Sequence, residues 1–106
     1  IVTNYMPGLR IYRRVGDEFF FHPVGDEKEK TIVQLAEASS DGVRIKIASP
    51  SGETEDETMK NGDAITFGEK NLELTLVLDE SMAGHASFRC LAGPEVFVRR
   101  VDRRMK

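Results

Sequence analysis

Leu9-Arg10-Ile11-Tyr12-Arg13-Arg14-Val15-Gly16-Asp17 is the stretch on which the reading of this chain turns. Its first six residues alternate like a half-buried strand, with Leu9, Ile11 and Arg13 on one face and Arg10, Tyr12 and Arg14 on the other. Val15-Gly16-Asp17 then supplies a tight turn. Glu18-Phe19-Phe20-Phe21-His22 reads as a short aromatic strand that completes a hairpin. At the far end Val96-Phe97-Val98-Arg99-Arg100 repeats the pattern, with Val96, Val98 and Arg100 on one face and again a double arginine at the close. If the chain ends meet, as the termini of small domains often do, these two strands lie side by side and pool their arginines in one cationic strip.

The charge distribution gives that strip a purpose. Of the fifteen basic residues, Arg10, Arg13, Arg14, Arg99, Arg100, Arg103, Arg104 and Lys106 sit near the two ends, whereas acids dominate between Asp17 and Glu95 and the net charge is -3. A local basic patch on a mildly acidic protein suits a polyanion bound at one place, with little attraction elsewhere. The plainer reading is that paired arginines are solubilising charges on strand edges.

Between the ends the chain reads as strands and turns. Residues 23–30 (PVGDEKEK) form a polar loop. Thr31 to Ala38 and Val43 to Ile47 alternate on either side of Ser39-Ser40-Asp41-Gly42, a second hairpin. Ser49-Pro50-Ser51-Gly52 stops the strand, and Glu53-Thr54-Glu55-Asp56-Glu57 reads as a solvated acidic run without the glycine spacing of a calcium loop. The scheme then restarts: a short strand at 64–67, a strand over 71–78, a turn over 79–84 and a strand over 85–91. Gly16-Asp17 superposes on Gly62-Asp63 and Phe21 on Phe67 at a shift of forty-six positions. The chain is therefore a divergent tandem repeat whose unit is too small to close a core without its twin. We expect an all-β fold in which two intertwined repeats, about 8–57 and 58–101, form a single sandwich or barrel domain over residues 8–101. Residues 1–7 are read as a tag or flexible N-terminus, and 101–106 as a short basic helix.

A chain of 106 residues can bury a core without a disulfide. Its one cysteine, Cys90, lies in an apolar run and reads as a buried free thiol in a reducing compartment, so a cytoplasmic protein is expected. No apolar run approaches the length of a membrane span. His22 and His85 lie far apart in sequence with no nucleophile pattern, and no phosphate loop or metal-spaced cluster appears. No enzymatic activity, catalytic residue, metal or cofactor is expected.

The repeat unit resembles the carbon storage regulator (CsrA, or Rsm) family of small bacterial translational regulators. Three stretches carry the likeness: Leu9 to Asp17, then Val43-Arg44-Ile45 with Ala48-Ser49-Pro50, and Ala92-Gly93-Pro94-Glu95-Val96-Phe97-Val98-Arg99-Arg100. The resemblance implies an interlocked dimer, here fused in one chain, with the first strand of one copy beside the last strand of the other and an RNA site on each such pair. The second site should be dead, because Met59 and Lys60 stand where Arg13 and Arg14 do, and Asp56 and Glu57 fall where Arg99 and Arg100 fall. The span from Pro50 to Asn61 is also too short to hold both a last strand and a first strand.

What the resemblance implies for function is sequence-specific binding of GGA elements in messenger or small regulatory RNA hairpin loops, controlling initiation of translation. The expected RNA-binding residues are Arg10, Ile11, Tyr12, Arg13, Arg14, Val98, Arg99 and Arg100. Arg13 and Arg100 would touch RNA, Arg14 and Arg99 would support them, and backbone beside Ile11 and Val98 would read base edges. Tyr12 would stack on a base or simply pack across strands, and Phe19, Phe20 and Phe21 read as core and sheet packing. The expected protein is a monomeric pseudo-dimer without DNA or membrane partners. The competing expectation is a protein-interaction module of the same fold that sequesters a partner through its acidic stretch or an exposed edge.

Overall fold

The computed structural model describes residues 8–69 and 72–101. Nine strands carry them: β1 (Leu9–Arg14), β2 (Glu18–Pro23), β3 (Thr31–Ser39), β4 (Gly42–Ala48), β5 (Thr54–Lys60), β6 (Ala64–Glu69), β7 (Leu72–Met82), β8 (His85–Ala92) and β9 (Val96–Val101). They form two antiparallel sheets, one in the order β1-β8-β7-β6 and the other β5-β4-β3-β2-β9. The fold is all-β. Val101 belongs to β9, and the expected helix beyond it falls outside the described residues.

The alternation in the sequence decides which face of each strand is buried. Val33 and Leu35 of β3, Val43, Ile45 and Ile47 of β4, Leu74, Leu76 and Leu78 of β7, and Ala86, Phe88 and Cys90 of β8 all turn inward. Each large one contributes roughly 1.5–3 kcal/mol by leaving water. Phe19 and Phe21 of β2 cross the layer to Phe88 and Phe67, with ring centroids 6.2 and 5.1 Å apart.

The two sheets are related by an exchange of the two halves of the chain. Substituting β5 for β1, β6 for β2, β7 for β3 and β8 for β4 converts one sheet order into the other, save that β9 has no counterpart among the described residues. The register agrees residue by residue: Phe19 pairs Val33, which pairs Ile47, and Ile65 pairs Leu76, which pairs Cys90. Both long strands carry a bulge at the same place, between Leu35 and Glu37 and between Leu78 and Glu80. The repeated Gly-Asp explains the corner that makes this possible. Gly16 and Gly62 take positive φ, 99° and 93°. Their amides donate to the Leu35 and Leu78 carbonyls at 2.8 and 2.7 Å, and the Leu35 and Leu78 amides donate back to Asp17 and Asp63 at 3.1 and 3.0 Å. The turn is thereby tied to the third strand, and the chain steps from one sheet to the other.

Several sequence expectations are corrected by this corner. β1 and β2 do not form a hairpin; they belong to different sheets, so each sheet holds the first strand of one copy and three strands of the other. The solvated acidic run lies largely on a strand, since residues 54–60 form β5, the first strand of copy two. The junction between copies accordingly lies before Thr54 rather than between 57 and 58, and copy one has no last strand of its own. Asp56 and Glu57 therefore correspond to Arg10 and Ile11 rather than to Arg99 and Arg100. The turn expected over 79–84 is shorter, because β7 runs on through Met82.

Candidate nucleic-acid interface

Ile11 and Phe88 are Cα partners across β1 and β8. Around them the register places Arg10 opposite Arg89, Tyr12 opposite Ser87 and Arg14 opposite His85. Because Ile11 and Arg13 point into the core, Arg10, Tyr12 and Arg14 share the outer face with Ser87, Arg89 and His85. Tyr12 is 53% exposed, and its hydroxyl lies 2.6 Å from His85 Nδ1 with the rings tilted at 5.2 Å. The ring is thus held at one edge and open on a face. Like charges directly opposite each other repel, yet Arg10 and Arg89 are tolerated because Asp79 serves both. Arg89 Nε donates to the two Asp79 carboxylate oxygens at 3.0 Å each, and Arg10 Nη1 lies 4.0 Å from Oδ2. The Arg10 side chain stays 74% exposed, so its charge remains available to an anion.

The expected pairing of first and last strands is not formed. Tyr12 of β1 pairs Ser87, whereas Val98 of β9 pairs Phe21 in the other sheet. Both terminal strands cross to the opposite copy, β1 to the sheet of copy two and β9 to that of copy one, and for that reason they end on different sheets. Side-by-side pairing would have set two arginine-rich strands against each other. They do converge at one end: Arg13 Nη1 donates to the Glu18 carbonyl at 3.1 Å, and Glu18 is the Cα partner of Val101.

The expected site residues therefore divide. Arg10, Tyr12 and Arg14 lie together on the β1–β8 face. Arg13 is 5% exposed and cannot serve as the RNA contact expected of it. Its Nε donates to the Tyr12 carbonyl at 2.8 Å, and Nη1 also lies 3.9 Å from Asp17 Oδ2, so the guanidinium braces the corner. Ile11 is fully buried, and only its backbone lies on an edge strand. Val98 packs against the core. Arg99 and Arg100 are exposed on β9, opposite Phe20 and Phe19.

No family model, curated protein or solved structure matches this chain.

His85 and Arg89 were not singled out for RNA by their sequence, because the β1–β8 pairing that brings them to Tyr12 is not local. A second aromatic row, Phe20, His22 and Phe97, lies on the outer face of β2 and β9, with ring separations of 6.1 and 5.2 Å. Lys30 Nζ sits 4.6 Å above the Phe20 ring. Phe20 packs on the sheet's outer face, whereas Phe19 and Phe21 lie in the core. Cys90 is buried, and burial pushes its thiol up to about 12, which leaves it un-nucleophilic. Among the described residues no helix is long and apolar enough to cross a membrane.

Proposed function

We propose that this protein binds single-stranded RNA on the outer face of β1 and β8, acting as a CsrA-like translational regulator with one site per chain. The observation that carries the reading is the cross-strand register that sets an exposed Tyr12 ring between Arg10 and Arg14 and against His85. An unpaired base stacks on such a ring for roughly 1–3 kcal/mol, and flanking guanidiniums take phosphates or the acceptor edge of guanine. A GGA element displayed in a hairpin loop fits these requirements, since its bases are already unstacked from a duplex. Among the described residues copy two offers no second surface of this kind: Asp56, Thr58 and Lys60 of β5 stand where Arg10, Tyr12 and Arg14 stand in β1. Work on transcripts would place the protein in the cytoplasm, in keeping with a free buried thiol.

A gel-shift titration with a GGA stem-loop tests this. Wild type should bind one RNA per chain, with affinity falling as salt rises. Tyr12→Ala should weaken binding about 5- to 150-fold, the equivalent of one lost base stack. Arg10→Ala combined with Arg14→Ala should also flatten the salt dependence. Wild-type affinity in the Arg10, Tyr12, Arg14 triple alanine variant would rule the face out.

A further inference from the structure

Among the described residues β9 has no counterpart, and no described strand pairs with the outer edge of β6. On the five-stranded sheet β9 covers β2, and Phe19 and Phe21 are 1% and 0% exposed beneath it. On the four-stranded sheet no described strand lies beyond the equivalent strand, β6, and Ile65 and Phe67, which stand where Phe19 and Phe21 stand, are only partly buried. The same layer position is sealed on one side of the molecule and unsealed on the other.

The other three edges carry charges that oppose pairing with themselves. β1 presents Arg10 and Arg14, β5 presents Glu55, Asp56 and Glu57, and β9 presents Arg99 and Arg100. Like charges on an edge strand prevent it from adding to a copy of itself. β6, Ala64-Ile65-Thr66-Phe67-Gly68-Glu69, has a single charge, at its end. It also has no proline, so every backbone amide can donate to a neighbouring strand.

We propose that β6 is a homodimer edge, joining two copies of this chain antiparallel about a two-fold axis at Thr66. In that register Thr66 faces its own copy, extending the ladder that already joins Thr66 and Thr75 through a 3.1 Å hydroxyl contact. Ile65 of each chain comes opposite Phe67 of the other on the inner face, so the dimer completes the burial that β9 gives its side of the sandwich. Keeping inner and outer faces continuous requires this parity, because directly opposed residues of an antiparallel pair share a face. The result is a weak dimer whose affinity rises with salt, because two chains of net charge -3 repel each other and salt screens that repulsion. The two copies join into one continuous sheet, leaving both β1–β8 faces uncovered.

Sedimentation and cross-linking test the proposal on the full chain. Wild type should pass from monomer to dimer as concentration rises, with added salt shifting the transition to lower concentration. Thr66→Lys, at an exposed position, should remain folded by circular dichroism and monomeric throughout. Opposed Thr66 Cα atoms about 4.5–5.5 Å apart lie within disulfide reach, so Thr66→Cys should form a covalent dimer under mild oxidation. It should do so at least about tenfold faster than Ser51→Cys in an exposed turn, through the raised local concentration. Buried Cys90 stays silent in this assay. The proposal is overturned if wild type stays monomeric at every concentration, or if the two cysteine variants cross-link at equal rates. It is equally overturned if association weakens with salt and is abolished by Asp56→Lys, because that is the behaviour of β1 pairing with β5 through opposite charges.

Discussion

Arg13 and Met59 occupy the same place in the two copies, both buried, one charged and one apolar. Arg13 pairs across from Ala86 and Met59 from Val43, which are themselves equivalent positions. In copy one a guanidinium fills the corner and donates to the Tyr12 and Glu18 carbonyls. In copy two a flexible thioether fills the same volume without donors. The difference teaches that an arginine on a strand otherwise rich in exposed charge can be a structural piece, and that its copy-two replacement reports the volume the corner requires. The outer face differs as well: β1 has Arg10, Tyr12 and Arg14 where β5 has Asp56, Thr58 and Lys60.

The largest expected effects come from this pair. Met59→Ala should cost about 2–5 kcal/mol through the cavity it leaves, and Arg13→Ala should cost a similar amount, since it adds unpaired carbonyls to lost volume. Arg13→Met restores the volume and isolates the hydrogen bonds; about 1–3 kcal/mol should remain missing in urea unfolding. A variant as stable as wild type would mean that both corners need only filling.

Gly42 and His85 sharpen the comparison next, at the first position of β4 and of β8. Gly42 has φ near 150°, and a Cβ there would run into the Met59 carbonyl oxygen and lie 3.1 Å from Lys60 Cα. Gly42→Ala should therefore cost about 1–3 kcal/mol. His85→Ala, on ordinary backbone, should cost under about 1 kcal/mol, chiefly the contact to Tyr12. Equal losses would show that the two hairpins share one backbone requirement after all.

Ile47 and Cys90 give an effect that appears only at high pH. The Cys90 thiol is held protonated by burial up to about 12 in the folded chain. An exposed thiol in the unfolded chain ionises near 8.5, so the unfolded state loses its proton first and stability falls as pH rises between those values. The loss from this group should reach about 1–2 kcal/mol by pH 10, measured as the difference between wild type and Cys90→Val, which has nothing to titrate there. Parallel stability–pH curves for the two proteins would place Cys90 in water rather than in the core.

Much of this molecule was legible locally. The alternation of Val43, Ile45 and Ile47, the hairpin turn at 39–42 and the doubled Gly-Asp marked strands, corner and repeat, because each depends on residues only a few positions apart. β5 was hidden, since Glu55, Asp56 and Glu57 lack β propensity and are held in a strand by pairing with β4. The burial of Arg13 was hidden too: its alternation with Ile11 put it on the inward face, but its charge argued for the surface.

The sequence by itself determined the all-β class, the inward face of most strands and the doubling of one unit, through periodicity and turn chemistry. Only the tertiary structure decided that β1 lies beside β8 and β9 beside β2, which of the arginines face solvent, and that β6 is left uncovered by any described strand. Strand pairing over seventy or more residues is chosen by which inner faces seal the core together, and no short-range pattern encodes that choice.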